Sequence, residues 1–337
     1  MKKRYVVVSL LLIILIASPL IAGGRSEKAA DVQQKFTMKL GLANDPGHYH
    51  TQAARKFAEL MAERTKGGVQ VEVFPAQQLG TEPEMISLTS QGTIQMFFAS
   101  PGHVGGYVKE YQIMLCPFIW RDYDHLKKTM QGPIGQEMAK KMLDSHGIRV
   151  LDALIVNGAR HLTTANKAIM RPEDLRGMKI RAPQAPIYLA AVKAMGANPV
   201  PIDFAELYMA LQQGVVDGQE NALGTIDGMK FYEVQKYVML TGHIFQSQVA
   251  GINDKYYTGL PQEYRDAVLK AIEEARDYNN KLQSESDVTA SKKFKDLGIT
   301  IIQPDVEAFR SNSRQFIGEL EGLWGGPGLY DRIVNVK

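Results

Sequence analysis

Residues 36–42 alternate apolar and polar positions as a half-buried strand does, and a polar turn over 43–50 carries His48 and His50. Residues 51–65 then place apolar side chains at helical spacing, with Gly67 and Gly68 as a stop. V-Q-V-E-V-F (69–74) alternates as a second strand and ends at Pro75. A helix over about 82–91 closes at Gly92, followed by the apolar strand T-I-Q-M-F-F-A (93–99). Helices set between apolar strands predict an α/β fold with a parallel sheet covered by helices.

The same grammar returns later in the chain. G-V-Q-V-E-V-F-P (68–75) resembles G-M-K-I-R-A-P (177–183), and S-Q-G-T-I-Q (90–95) resembles Q-Q-G-V-V-D (212–217). These short matches suggest two lobes of similar topology, which would bind a ligand where strand ends face one another across a cleft. D-F-A-E (203–206) reads as a capping box with Asp203 at the N-cap and Glu206 at N3, leaving Phe204 at a helix start, and Gly214 is the expected C-terminal residue. Residues 262–297 contain neither glycine nor proline. They form either two helices broken near 283–286 or one helix of roughly 54 Å, long enough to back both lobes.

Composition changes the picture in few places. A chain of 337 residues exceeds one ordinary core, so two domains are expected. Residues 1–24 carry Lys2, Lys3 and Arg4, an apolar run and a small-residue ending, the layout of a cleaved secretory signal, with an uncleaved membrane anchor as the rival. The polar segment 25–35 reads as a tether. Without Lys2, Lys3 and Arg4 the basic residues fall level with the 36 acidic ones, so no global field favours nucleic acid or an anionic membrane. Cys116 is the single cysteine, in an apolar setting that suits an inert buried thiol.

Candidate chemistry concentrates in residues 157–223. N-G-A-R (157–160) and G-M-K-I-R-A-P (177–183) each present an arginine beside a structure-breaking residue, and D-G-Q-E-N-A-L (217–223) adds carboxylate and amide. Guanidinium forks pair bidentately with carboxylates, so an anion-binding cleft is the reading. With F-P-A-Q-Q-L-G (74–80), D-L-R-G-M-K-I-R-A-P (174–183), F-A-E-L-Y-M-A-L-Q-Q-G-V-V-D-G-Q-E-N (204–221) and K-F-Y-E-V-Q-K-Y (230–237), the chain resembles the solute-binding subunits of tripartite ATP-independent periplasmic (TRAP) transporters, the DctP-type family, over nearly its whole length after residue 35.

The resemblance implies a two-lobed periplasmic-binding-protein type II fold with hinge strands and a long helix spanning both lobes. One lobe would comprise 36–157 with about 247–286, the other 158–246 with about 287–337. It further implies that Arg181 grips a ligand carboxylate, that Arg160 adds a second cationic contact or else braces the hinge against Glu220 or Asp217, and that Asn221 completes the polar ring. Phe204 would pack on the ligand body and Gln184 bond a carboxylate or hydroxyl. Ser100 stands where sialate-binding members carry an acidic residue, which weakens an amino-sugar acid as ligand; His48 offers a hydrogen bond to a hydroxylated one.

The implied function is periplasmic capture of a carboxylate-bearing organic acid, a sugar acid or a C4-dicarboxylate, by a monomeric receptor that delivers it to small and large membrane subunits. A sensor docking on a receptor kinase is the alternative, and an exported enzyme on the same scaffold a weaker one. No metal or cofactor is expected. His48 and His50 alternate along what reads as an extended segment and so point apart, and G-H-V-G-G-Y (102–107) lacks the Lys-Ser/Thr ending of a phosphate loop, which leaves it a turn.

Overall fold

The strand and helix alternation resolves into one nine-stranded mixed sheet in a computed structural model of the protein, which describes residues 35–337. The expected signal segment 1–24 and all but the last residue of the tether 25–35 lie outside the described residues. The strands are β1 (Phe36–Gly41), β2 (Val69–Phe74), β3 (Met96–Ala99), β4 (Ile148–Thr164), β5 (Lys179–Ala182), β6 (Asn198–Pro201), β7 (Gly218–Ala222), β8 (Tyr237–Asn253) and β9 (Thr300–Ile302). Their order is β2-β1-β3-β8-β4-β7-β5-β6, with β9 pairing β8.

This order contains a repeat. In one half β1 lies between β2 and β3, all parallel, and β3 runs antiparallel to β8. In the other β5 lies between β6 and β7, all parallel, and β7 runs antiparallel to β4. The 17-residue strands β4 and β8 pair with each other and tie the halves together, with bulges between Val150 and Asp152, Asp152 and Ile155, Val156 and Gly158, and Arg160 and Leu162. The two sequence matches fare differently against it. S-Q-G-T-I-Q and Q-Q-G-V-V-D lead into β3 and β7, which are equivalent positions. G-V-Q-V-E-V-F-P is edge strand β2, whereas G-M-K-I-R-A-P is central strand β5, the counterpart of β1. That match reflects only the shared need of a short strand for a glycine before it and a proline after it.

Residues Gln262–Asp296 form one uninterrupted helix of 35 residues. Its first half sends Tyr264, Val268, Ala271 and Ile272 into a core with Met38, Leu40, Phe57 and Phe98 of the β1–β3 half. Its last turns send Ala290 and Phe294 into a separate core with Leu207, Ile226 and Phe231 of the other half. The apolar stripe thus serves two cores in succession, and no glycine or proline interrupts the backbone between them. Where the helix crosses β4, Gly158 has φ +103°, and a Cβ there would lie 2.5 Å from Gln283 Nε2. A side chain would be strained and would push the helix off the strand. Cys116 is buried in a third cluster with Leu115 and Trp324, and burial pushes its thiol up to about 12.

The expected capping box at Asp203 does not form. Asp203 Oδ1 instead accepts from the Ala205 N–H at 2.9 Å, and the helix begins only at Leu207, with Glu206 as its N-cap. An Asx turn competes locally for the same aspartate, and here it wins.

Candidate functional site

The six parallel strands of both halves end on one cavity of about 140 Å³. From the β1–β3 half come Asn44 after β1, Gln77 after β2, Glu82 at the start of the helix Glu82–Ser90, and Ser100 directly after β3. From the other half come Arg181 and Gln184 at β5, Asp203 and Phe204 after β6, and Asn221 in β7. The connecting strands β4 and β8 supply Asn157, Arg160, Gln246 and Gln248. Ligand sites at the carboxyl ends of strands are the general outcome in open α/β sheets, because loops there are free to vary.

Arg181 is the side chain least satisfied in this cavity. It is 1% exposed, its Nε donates to the Ile202 carbonyl at 2.9 Å, and its Nη1 has no hydrogen-bond partner. None of the ion pairs among the described residues includes it. Burial lowers its pKa to about 10, with Glu220 partly offsetting that and Arg160 adding to it. It remains a cation at neutral pH. The Phe204 ring lies 6.0 Å from its guanidinium carbon.

Arg160 has the opposite circumstances at nearly the same burial, 3%. Its Nε meets Glu220 Oε2 at 2.5 Å, its Nη2 meets Oε1 at 2.7 Å and the Glu220 carbonyl at 2.7 Å, and its Nη1 donates to Gln246 Oε1 at 2.6 Å. Strand register explains the fit. Arg160 faces Ala222 on β7 and Ile244 on β8, so Glu220 and Gln246 are its diagonal neighbours on the same face of the two flanking strands. Burial works against both ions, but each offsets that for the other. Glu220 is held down to about 2 by Arg160 and by His243, whose Nε2 lies 3.3 Å away, and Arg160 is held above its ordinary range. Of the two roles open to Arg160, this geometry is the brace, with the side chain still lining the cavity.

The other anticipated residues fall into place unevenly. Asn221 lines the cavity, buried, with its amide donating to Gln219 Oε1 at 2.7 Å. Phe204 lines the cavity and also packs edge-on against Phe231 at 6.4 Å. Gln184 lines the rim, exposed. Ser100 bonds Tyr188 from the opposite half, Oγ to hydroxyl 2.7 Å, and accepts from the Gly102 N–H.

His48 is a correction. It is the N-cap of the helix Tyr49–Arg64, accepting from the His50 N–H, and it is not a lining residue. Its Nε2 lies 3.3 Å from the hydroxyl of Thr225, which does line the cavity, so it stands one residue behind the wall. The expectation that His48 and His50 point apart fails for the same reason. They sit at a helix start rather than along a strand, and their rings are 4.8 Å apart. Burial lowers both, His50 to about 4. No group of three or more His, Cys, Asp or Glu among the described residues could hold a metal ion.

Several lining residues escaped the sequence reading. Glu82, 7% exposed, accepts the Ser100 N–H at 2.9 Å on Oε2, which also lies 2.6 Å from His103 Nδ1. A signal existed, since T-E-P-E forms a capping box from Thr81 to Glu84 and sets Glu82 at a helix start beside a strand end. His103 belongs to the stretch read only as a turn. Tyr188, Gln246 and Gln248 lie in apolar or alternating runs where nothing local marks them. Gln248 Oε1 is buried without a hydrogen-bond partner.

A model of the bacterial extracellular solute-binding proteins, family 7, matches residues 40–321. The chain is similar to the sialic acid-binding periplasmic protein SiaP of Vibrio cholerae, at 32% identity over 89% of this chain and 92% of that protein. It is also similar to the 2,3-diketo-L-gulonate-binding periplasmic protein YiaO of Escherichia coli, at 36% identity over 74% and 76% respectively. A solved TRAP periplasmic solute-binding protein from Polaromonas, bound to D-erythronate, superposes with a TM-score of 0.83 at 30% identity, covering 90% of this chain and 99% of its own.

Proposed function

The chain belongs to the bacterial extracellular solute-binding proteins of family 7, with the two-lobed TRAP fold, and on that premise we propose that it captures a carboxylate-bearing organic acid for delivery to TRAP membrane subunits. One observation carries this reading. Arg181 is a buried guanidinium without a counter-ion, with a free Nη1, in a cavity lined from both halves of the sheet. Burying an unpaired charge is expensive, and an incoming carboxylate relieves that cost with charge-assisted hydrogen bonds.

Mechanistically, residues 36–157 with about 247–286 and residues 158–246 with about 287–337 act as two lobes hinged on β4 and β8. With the lobes apart, water hydrates Arg181. A carboxylate replaces that water, and closure removes the remaining screening while Ser100, Tyr188, Asn157 and the glutamines of β8 complete the hydrogen bonds. The ligand thereby selects the closed state in proportion to its extra contacts there. Secretion through segment 1–24 fits this role, and no described helix is long and apolar enough to cross a membrane. The protein works as a binder, releasing its ligand unchanged.

Calorimetric titration of an organic-acid panel tests the proposal. Arg181→Ala should lower affinity at least about a hundredfold, on the order of 3 kcal/mol. Near-normal binding by that variant would falsify the arginine–carboxylate assignment.

A further inference from the structure

Among the described residues, the ionisable side chains lining the cavity are Glu82, His103, Arg160, Arg181 and Asp203. Arg160 is neutralised by Glu220. That leaves Arg181 as the single arginine or lysine in the wall free to meet an anion. Across from it, in the β1–β3 half, stands a carboxylate. Glu82 Oε2 is occupied by the Ser100 N–H and by His103, while no described residue donates a hydrogen bond to its Oε1. Gln248 Oε1 is a second acceptor without a donor, fully buried. The remaining polar lining consists of hydroxyls and amides: Asn44, Gln77, Asn157, Asn221, Tyr188 and Thr225 among them.

We infer that Glu82 is a specificity-determining residue that selects hydroxylated monocarboxylates and rejects dicarboxylates. The inference rests on the reading that Arg181 takes a carboxylate. The physical argument concerns complementarity at the far end of the ligand. A dicarboxylate at neutral pH presents only acceptors there, so its second carboxylate meets the Glu82 carboxylate and the Gln248 carbonyl with no second arginine or lysine to pair it, His103 being already engaged by Glu82. Desolvated like charges and facing acceptors both oppose binding. A polyhydroxy monoacid brings hydroxyl hydrogens to the same two acceptors and a single charge to the single free guanidinium. A site whose buried polar groups must be paired discriminates strongly against ligands that leave them unpaired. His103, also in the cavity wall, and the Ser100 N–H both engage Oε2, which leaves Oε1 as the Glu82 oxygen open to a ligand hydroxyl.

The experiment is calorimetric titration of the wild-type protein with D-erythronate and D-galactonate as hydroxylated monoacids and with succinate and L-malate as dicarboxylates. The wild type should bind at least one aldonate at least about a hundredfold more tightly than either dicarboxylate. Glu82→Gln, which keeps the carbonyl and removes the charge, should narrow that preference at least about tenfold, chiefly by admitting the dicarboxylates. Dicarboxylate binding equal to or tighter than aldonate binding in the wild type overturns the inference, as does an unchanged preference in a folded Glu82→Gln protein. So does the absence of any aldonate binding. Arg181→Ala separates the two layers of argument: if it abolishes dicarboxylate binding, the carboxylate reading stands and only the role of Glu82 falls. If binding survives it, the carboxylate reading itself falls.

Discussion

Arg160 and Arg181 are one strand apart from β7 on either side, both almost fully buried, both in the cavity wall, and they do opposite things. Arg160 sits in β4 with Glu220 and Gln246 as diagonal neighbours on both flanks, so its fork is filled by the protein. Arg181 sits in β5, where its one protein partner is the Ile202 carbonyl. A buried arginine with a carboxylate is part of the framework; a buried arginine without one is a site waiting for an anion. Burial alone does not distinguish them, and the sequence phrases around them, through the family resemblance, put Arg181 on the ligand but left Arg160 open between ligand contact and brace.

The largest test of this contrast is Arg160→Ala. It strands Glu220 in the interior, and we expect a stability loss of about 3–5 kcal/mol in urea unfolding. The paired replacement Arg160→Met with Glu220→Leu should recover much of that loss, and a double variant as unstable as the single one would contradict a brace role. Arg181→Ala should do the reverse. Its hundredfold or greater loss of affinity should come with unfolding stability unchanged or raised, because an unpaired buried charge has been removed. Equal destabilisation by both alanine variants would erase the distinction.

Acid should act on the paired arginine and spare the other. The ordinary pKa of Glu220 is 4.5 and the folded value is about 2, so its contribution is complete above about pH 4.5 and is lost as pH falls toward 2. His50, lowered to about 4, and His161, lowered to about 3, add a loss that begins near their ordinary value of 6.5, where the unfolded chain takes up protons first. Asp152 and Asp287, each raised to about 6 by burial, run the other way between about 6 and their ordinary 3.8. The component due to Glu220 is isolated by comparison with Glu220→Gln. The stability gap between that variant and the wild type should shrink as pH drops from about 4.5 to 2, and a constant gap would refute the coupling.

The smallest expected effect is that of Tyr188→Phe. It removes the buried 2.7 Å bond to Ser100, which joins the two halves in the cavity wall, and leaves the ring beside Arg160, whose guanidinium carbon lies 5.0 Å from its centre. We expect ligand affinity to fall by about 1 kcal/mol, roughly fivefold. Stability of the ligand-free protein should hardly move, since the bond forms between halves rather than within one.

Much of the fold was legible along the chain. The strand at 69–74 and the helix stop at Gly92 each follow from local periodicity and from where glycine and proline stand, whereas the stretch after 262 left one helix or two open until the family resemblance favoured one. Local chemistry failed where two local solutions compete, as at Asp203, whose carboxylate serves an Asx turn as readily as a helix cap. It failed again at His48, where a segment read as extended proved to be the first turn of a helix. Glu82 was legible in principle through its capping box, but nothing near it in sequence said that a strand end from the other half would face it.

By itself, the sequence determined the order of elements, the presence of two arginine phrases, and the neutral balance of charge that confines recognition to a local site. Only the tertiary structure decided which arginine is free. That choice depends on strand register, because Glu220 lies 60 residues from Arg160 and reaches it only through the β4–β7 ladder. An ion pair formed across a sheet has no local signature: its partners are set by which strands pair and in what register, and those are settled by burial across the whole molecule.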